Sequence, residues 1–522
     1  MAAKYKSPGV YINEQNAFQN SVVPVATAVP AFIGYTPQAE YEGKSYLNVP
    51  VKITSWNEFL MLFCYPAKGG VESQQYSPIY YVNESNEVLK ALDSISFGGS
   101  EYAISPDPST IYYLYLNVLM FYQNGGGEAY IVSVGGYGKP SGKAIEAGKP
   151  LVNPNVSLLE LLHGITLLKN ESEPTMYVVP EATLLSAANY ATLTQAMLLQ
   201  CEELNTAISI LDVPAGRNPD QQNFQRGIED FRNSTGNIGL SYGAAYFPFV
   251  YTTTLQSEDL DYSNFFGGDL EKLADLVNPK DKDPSLKKIF DLILSKDDKS
   301  MTMKQLNDAL LYSSKLYATL FSKIVQMANL LPPSGGMAGV MSMIDNSYGV
   351  WKAPANVSMV GVRELAISLT DAQQGPLNVD PVTGKSVNAL RSFSGQGILV
   401  WGARTLDGNS QDYRYIQVRR TLMFLEQSCK LAVRAYVFAP NDANTWLSVK
   451  TMISSFLTSI WTQGGLAGST PQDAYSVECG LGTTMTAQDI LDGLMIVSVR
   501  VAITRPAEFI VFTFQQQMAT SG

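Results

Sequence analysis

The sequence predicts a multidomain chain of the α/β and α+β classes, a mixed sheet with helices. Three observations carry that expectation: a strand–helix–strand unit in residues 175–214, a C-terminal third of capped helices and an alternating strand, and a run of strand-forming residues at 509–514. In the first of these, "TMYVVP" and "AISILDVP" are short apolar strands flanking an amphipathic helical stretch. A unit of that spacing implies a right-handed crossover and a partly parallel sheet. "IGLSYGAAYFPFVY" supplies a third strand.

The remaining elements follow in chain order. Residues 1–20 read as extended and polar around one strand candidate, Val10, Tyr11 and Ile12. Residues 21–36 are small and apolar with two prolines, which suggests an edge strand and a turn. Residues 40–150 are rich in Tyr, Ser, Asn and Gly, with strand-like runs such as "AYIVSV". Residues 254–326 are charged and helical in period, the pattern of an inserted, solvent-exposed module. A long helix is expected from about Asp412, and a second is capped by Asn441 or Asp442 and closed at Gly464 and Gly465. Thr486 and Asp489 have capping-box spacing. "MIVSVRVAI" alternates as a strand until Pro506 ends it.

Composition narrows the functions. Charged residues make up only 16% of the 522 residues, against about 25% in typical globular chains, so much surface is uncharged, as a permanently assembled subunit requires. A net charge of −11 argues against general nucleic-acid binding. No apolar run is long enough for a membrane span, and the N-terminus lacks the apolar core of a secretory signal. Cys64, Cys201, Cys429 and Cys479 are far apart and read as reduced thiols of a chain made in the cytoplasm. The one histidine, His163, lies in a leucine-rich helical pattern and reads as a packing or helix-end residue. No multi-histidine metal site and no Ser-His-Asp triad is supported. Residues 135–150 fail the phosphate-loop spacing at both ends, and neither "GKS" at 384–386 nor "GQGILV" at 395–400 completes a nucleotide motif. No catalytic residue, cofactor or metal is therefore expected.

Several stretches resemble the sheath proteins of contractile phage tails and contractile injection systems. They are "SPGVYINE", "ILDVP", "YGAAYFPFV", "PPSGGMAGVMSMIDNSYGVWKAPAN", "LNVDPVTGKSVNALRSFSGQGILVWGARTL", "YIQVRRTLMFLEQS", "FAPNDANTWLSVKTMISSFLTSIWTQGGLAG" and "RPAEFIVF". In that order they cover residues 1–36, roughly 155–252, and 328–514. Two departures stand out: Ala439 replaces the family's usual Glu, and the module at 254–326 is unlike shorter members.

The resemblance implies a sheath-family core with inserted outer domains. Residues 1–36 would form an arm and first strand, 37–154 an outer domain, 155–253 an α/β domain, 254–326 a charged helical insertion, 327–505 an inner C-terminal domain, and 506–522 a linking strand. It implies a non-catalytic subunit that polymerises helically with itself around an inner tube, meets baseplate and terminal cap proteins, and contracts. It would be assembled in the bacterial cytoplasm, as part of a phage tail or a tail-like particle that can be released. Strand exchange between subunits would use Val10, Tyr11, Ile12, Phe509, Ile510, Val511, Phe512, Thr513 and Phe514. From the residues alone, a terminal strand folded into its own domain fits equally well. On the helix after Asp412, Arg419, Arg420, Lys430 and Arg434 fall within one arc of about 100°, a basic stripe that could meet an acidic tube wall or equally be a solvated face. Leu422, Phe424, Leu425, Leu431 and Val433 would be its core side. The alternatives from other classes are an α/β hydrolase or transferase and a non-contractile assembly protein.

Overall fold

The computed structural model describes residues 21–67, 73–85, 94–146, 148–218, 222–295 and 301–511. The chain divides into a larger unit, Ala26–Met423 with the segment from Arg505 onward, and a smaller one, Phe424–Thr504 with the segment up to Val25.

The larger unit is organised by a nine-stranded sheet. Its strands are β1 (Pro30–Thr36), β2 (Val51–Ile53), β3 (Ala129–Gly136), β4 (Met176–Val178), β5 (Ile208–Asp212), β6 (Gly243–Phe247), β7 (Val357–Ser358), β8 (Asn388–Phe393) and β9 (Gly397–Trp401). The spatial order is β7-β9-β8-β6-β5-β4-β1-β3-β2. The six strands from β8 to β3 run parallel, with Ala31 of β1 opposite Tyr130 on one side and Tyr177 on the other. The two flanks are closed by antiparallel strands. The sheet is thus mixed, as the β4–helix–β5 spacing implies.

β1 corrects one expectation. It is not an edge strand: all seven of its residues are buried in the interior of the sheet. Pro30 is tolerated because it takes the first position of the strand, where a missing N–H is least costly. Apolar side chains on both faces are what a strand covered by helices on both sides needs. Phe32 meets Phe121 of helix α1 (Leu114–Gln123), ring centroids 5.4 Å apart. Its neighbour Ile33 points the other way, to helix α2 (Leu158–Leu167). There a Cβ on Gly164 would lie 2.6 Å from Ile33 Cγ2 and 2.7 Å from Val134 Cγ1, so only glycine permits this approach of helix to sheet. Helix α3 (Ala187–Leu204) joins β4 to β5, starts on the Ser186 cap and stops at Asn205 in the left-handed region. Helix α4 (Ser334–Tyr348) packs on α1, where Gly335 N donates to Asn117 Oδ1 at 2.9 Å.

Composition misplaces the segment boundaries. Residues 37–154, read as an outer insertion, contribute β2 and β3 to the central sheet. Residues 254–326 are helical as expected, but Leu273, Phe290, Leu310, Tyr317 and Ile324 are buried in the hydrophobic core of the same unit. High charge marks only the outer faces of those amphipathic helices. The span 327–505 is not one body, because the division falls between Met423 and Phe424. His163 is exposed on α2 rather than packed.

The smaller unit is built on helix α6 (Ala443–Thr462), which Asp442 caps by accepting from Thr445 N at 2.9 Å. Its apolar face, Val449, Ile453, Phe456 and Ile460, is buried. Helix α5 (Ile416–Val433) enters this unit at Phe424, whose ring meets Phe456 at 6.0 Å. A two-stranded antiparallel ribbon completes it, β10 (Tyr475–Glu478) and β11 (Ser498–Val501), with Tyr475 opposite Val501. The Thr486–Asp489 capping box forms as its spacing implies. All four cysteines are free. No helix among the described residues is long and apolar enough to cross a membrane, and no cluster of His, Cys, Asp and Glu among them could hold a metal ion.

Candidate assembly surfaces

The C-terminal segment changes character abruptly at Glu508. Its carboxylate is held by three separate stretches of the larger unit. Arg404 donates from Nη2 at 2.6 Å and from Nε at 3.0 and 3.1 Å, Asn378 Nδ2 donates at 2.6 Å, and the Tyr415 hydroxyl donates at 3.1 Å. Burial alone would raise the pKa of this carboxyl, but the hydrogen bonds from Arg404 and Asn378 hold it below the usual range. The next three residues, Phe509, Ile510 and Val511, are 71%, 71% and 86% exposed and belong to no strand. Apolar residues at that exposure forgo roughly 1.5–3 kcal/mol each of available burial. The other members of the expected strand-exchange set, Val10, Tyr11, Ile12, Phe512, Thr513 and Phe514, lie outside the described residues.

In the smaller unit, the chain just past β11 pairs with residues 465–467, where Ala467 N donates to the Ala502 carbonyl at 2.7 Å. β10 and β11 pair only with each other among the described strands. A lone two-stranded ribbon is marginal in water. Around it, Leu481, Leu491, Leu494, Ile496 and Val499 are exposed. Phe438, after α5, is fully exposed and sits at φ 69°, a left-handed conformation unusual for a bulky residue.

The basic stripe of α5 does not form as the helical arc suggests. Arg420 is buried and makes a two-pronged pair with Asp345 of α4, at 3.0 and 2.6 Å, with a third hydrogen bond to the Thr27 carbonyl at 2.8 Å. Arg419 is also buried, its guanidinium 3.9 Å from the Tyr242 ring centre and 3.1 Å from Asn205 Oδ1. Lys430 and Arg434 are exposed, and so is Leu431, which the helical wheel puts in the core. A helical wheel assumes one environment along a helix, whereas α5 passes from one unit to the other at Met423 and Phe424. Buried arginines are stable here because each finds a carboxylate, a carbonyl or an aromatic face.

Glu508 and Arg404 were not singled out by sequence. Their one visible signal is a lone Glu between Pro506 and an apolar run, which names no partner.

Known proteins locate these features. Residues 409–517 match the family described as phage tail sheath C-terminal domain. The tail sheath protein of Vibrio phage KVP40 is 28% identical over 156 residues, 29% of this chain and 22% of that one, so the alignment spans about a fifth of that relative. Two solved structures match nearly end to end. A sheath complex of the extracellular contractile injection system PVC, in its contracted state, is 25% identical with a TM-score of 0.58, covering 99% of both chains. A chain of the anti-feeding prophage baseplate is 26% identical with a TM-score of 0.56, covering 98% of this chain and 100% of that one. The matches are to structural subunits of contractile sheaths, and this fold is of that class. Residues 409–517 thus match the C-terminal domain of phage tail sheaths, and the chain as a whole is similar to contractile sheath proteins.

Proposed function

We propose that the chain polymerises helically around an inner tube in a metastable extended state, then contracts to drive the tube through a target envelope. The observation that carries this reading is the exposed apolar run Phe509, Ile510 and Val511 beside an anchored Glu508. Such a segment acquires backbone partners by adding to another sheet's edge. The ribbon β10–β11 of a neighbouring copy offers such an edge, with exposed apolar residues around it. The arm containing Val10, Tyr11 and Ile12 would join the same exchange. A head-to-tail contact whose rotation does not close produces a helical filament. Contraction is then rigid-body rotation of subunits that stay tethered by their strands, and no catalytic step, cofactor or metal enters it.

Lys430 and Arg434 are the residues through which the sheath would meet the tube, by weak exposed ion pairs that can break together. Arg419 and Arg420 are committed within the larger unit. Baseplate and cap proteins would complete the particle, a phage tail or tail-like particle built in the bacterial cytoplasm. The subunit itself would neither bind nucleic acid nor insert into a membrane. Negative-stain microscopy of the purified chain tests this. The expected result is long striated hollow cylinders, lost when residues 509–522 are deleted. Compact particles from the full chain would reject the proposal.

A further inference from the structure

We infer that Glu508 is the positioning residue of the linking strand, fixing in its own subunit the point from which Phe509 and its successors leave. This rests on the strand-exchange reading and adds how the strand is aimed. A carboxylate has about four lone-pair sites. Those of Glu508 are taken up by Asn378, Arg404 and Tyr415, each from a different stretch of the larger unit. Asn378 ends the helix Asp371–Asn378, Arg404 follows β9, and Tyr415 precedes α5. Arg404 is itself held in place: its backbone N donates to Asn388 Oδ1 of β8 at 2.7 Å, and its side chain is 5% exposed. The anchor is therefore continuous with the central sheet. Pro506 stiffens the short approach from Arg505, which reaches Asp412 at 3.8 Å.

The contrast across a single peptide bond is the informative point. On one side a charged group is saturated with charge-assisted hydrogen bonds; on the other three apolar side chains stand in solvent. A terminus that merely frays has no need of such a root. A strand that must find a neighbour's edge does. Freeing residues 505–508 would add about 13 Å of slack at ~3.3 Å per residue, lower the effective concentration of the strand at its acceptor, and leave four more residues to order on docking. Glu508 removes those costs before assembly, which is preorganisation.

The test compares the full chain with Glu508→Gln, Tyr415→Phe and a chain lacking residues 509–522. The readouts are the critical concentration for cylinder formation, the melting temperature below that concentration, and the rate of chymotryptic cleavage after Phe509. Glu508→Gln should raise the critical concentration roughly tenfold and speed cleavage, with some fall in melting temperature because the buried Arg404 loses its carboxylate partner. Tyr415→Phe, which removes one donor and leaves the Arg404 pair intact, should raise it a few-fold. Because that fall mixes stability with positioning in Glu508→Gln, Tyr415→Phe decides. A critical concentration at the unmodified value in Tyr415→Phe, or in Glu508→Gln, overturns the positioning role while leaving strand exchange standing. Normal cylinders from the truncated chain would instead overturn strand exchange itself.

Discussion

The central sheet and the C-terminal ribbon are built from similar β-branched residues, yet they finish in opposite states. Every residue of β1 is buried and both its edges are paired, whereas no residue of β11 is buried and its outer edge is open among the described strands. The larger unit encloses an extensive apolar core, with scattered exceptions such as Leu159, Tyr312 and Val382 on its surface. The ribbon and the terminal segment instead leave neighbouring apolar residues exposed together, which is what a polymerising subunit would offer its neighbours. Completeness in one region thus supports incompleteness in the other: a rigid body can carry adhesive edges without collapsing onto them.

The sharpest way to break this comparison is to delete residues 509–522. Assembly should be abolished while the melting temperature of the unassembled chain stays the same, because the residues that follow Glu508 are exposed as far as Val511. Next in size is Arg420→Met, which leaves Asp345 buried without its partner and should cost ~3–5 kcal/mol in denaturant unfolding of the larger unit. That loss would confirm that the larger unit depends on internal pairing.

A third prediction concerns pH. Glu181 is fully buried beside Gly34, where a Cβ would collide with its Oε2. Its Oε1 accepts from the N–H groups of Tyr113 and Leu114 at the start of α1, at 3.2 and 2.7 Å. Burial pushes its carboxyl up to about 7, against the opposing pull of those N–H groups. A folded-state pKa above the unfolded value means that the stabilisation is complete below about 4.5 and is lost as pH rises through about 7. Glu181→Gln should therefore match the unmodified chain at pH 4 and exceed it by up to roughly 3 kcal/mol at pH 8, measured by urea unfolding. The smallest effect on stability belongs to the smaller unit's surface. Reversing Lys430 and Arg434 to Glu should move the melting temperature negligibly, yet give sheaths that assemble without gripping a tube.

The parts legible in sequence were those set by local chemistry. The β4–α3–β5 unit, the Asp442 cap and the Thr486–Asp489 box announce themselves through short-range periodicity and side-chain hydrogen bonds. The parts that were not legible depend on distant partners. Pro30 disguised a central strand as an edge, because the two strands that sandwich it lie about 100 and 146 residues away. Arg419 and Arg420 looked like surface until Tyr242 and Asp345 were brought to them. The exposed run at 509–511 was visible as an adhesive strand, but the Glu508 clamp that aims it needed Asn378 and Arg404 in place.

The most direct test is a cryo-electron microscopy map of the assembled cylinder, traced through residue 508. Backbone density should leave the subunit at Glu508 and run as an added strand along the β10–β11 ribbon of an adjacent copy. A trace that turns back after Glu508 and pairs within its own subunit would contradict the account.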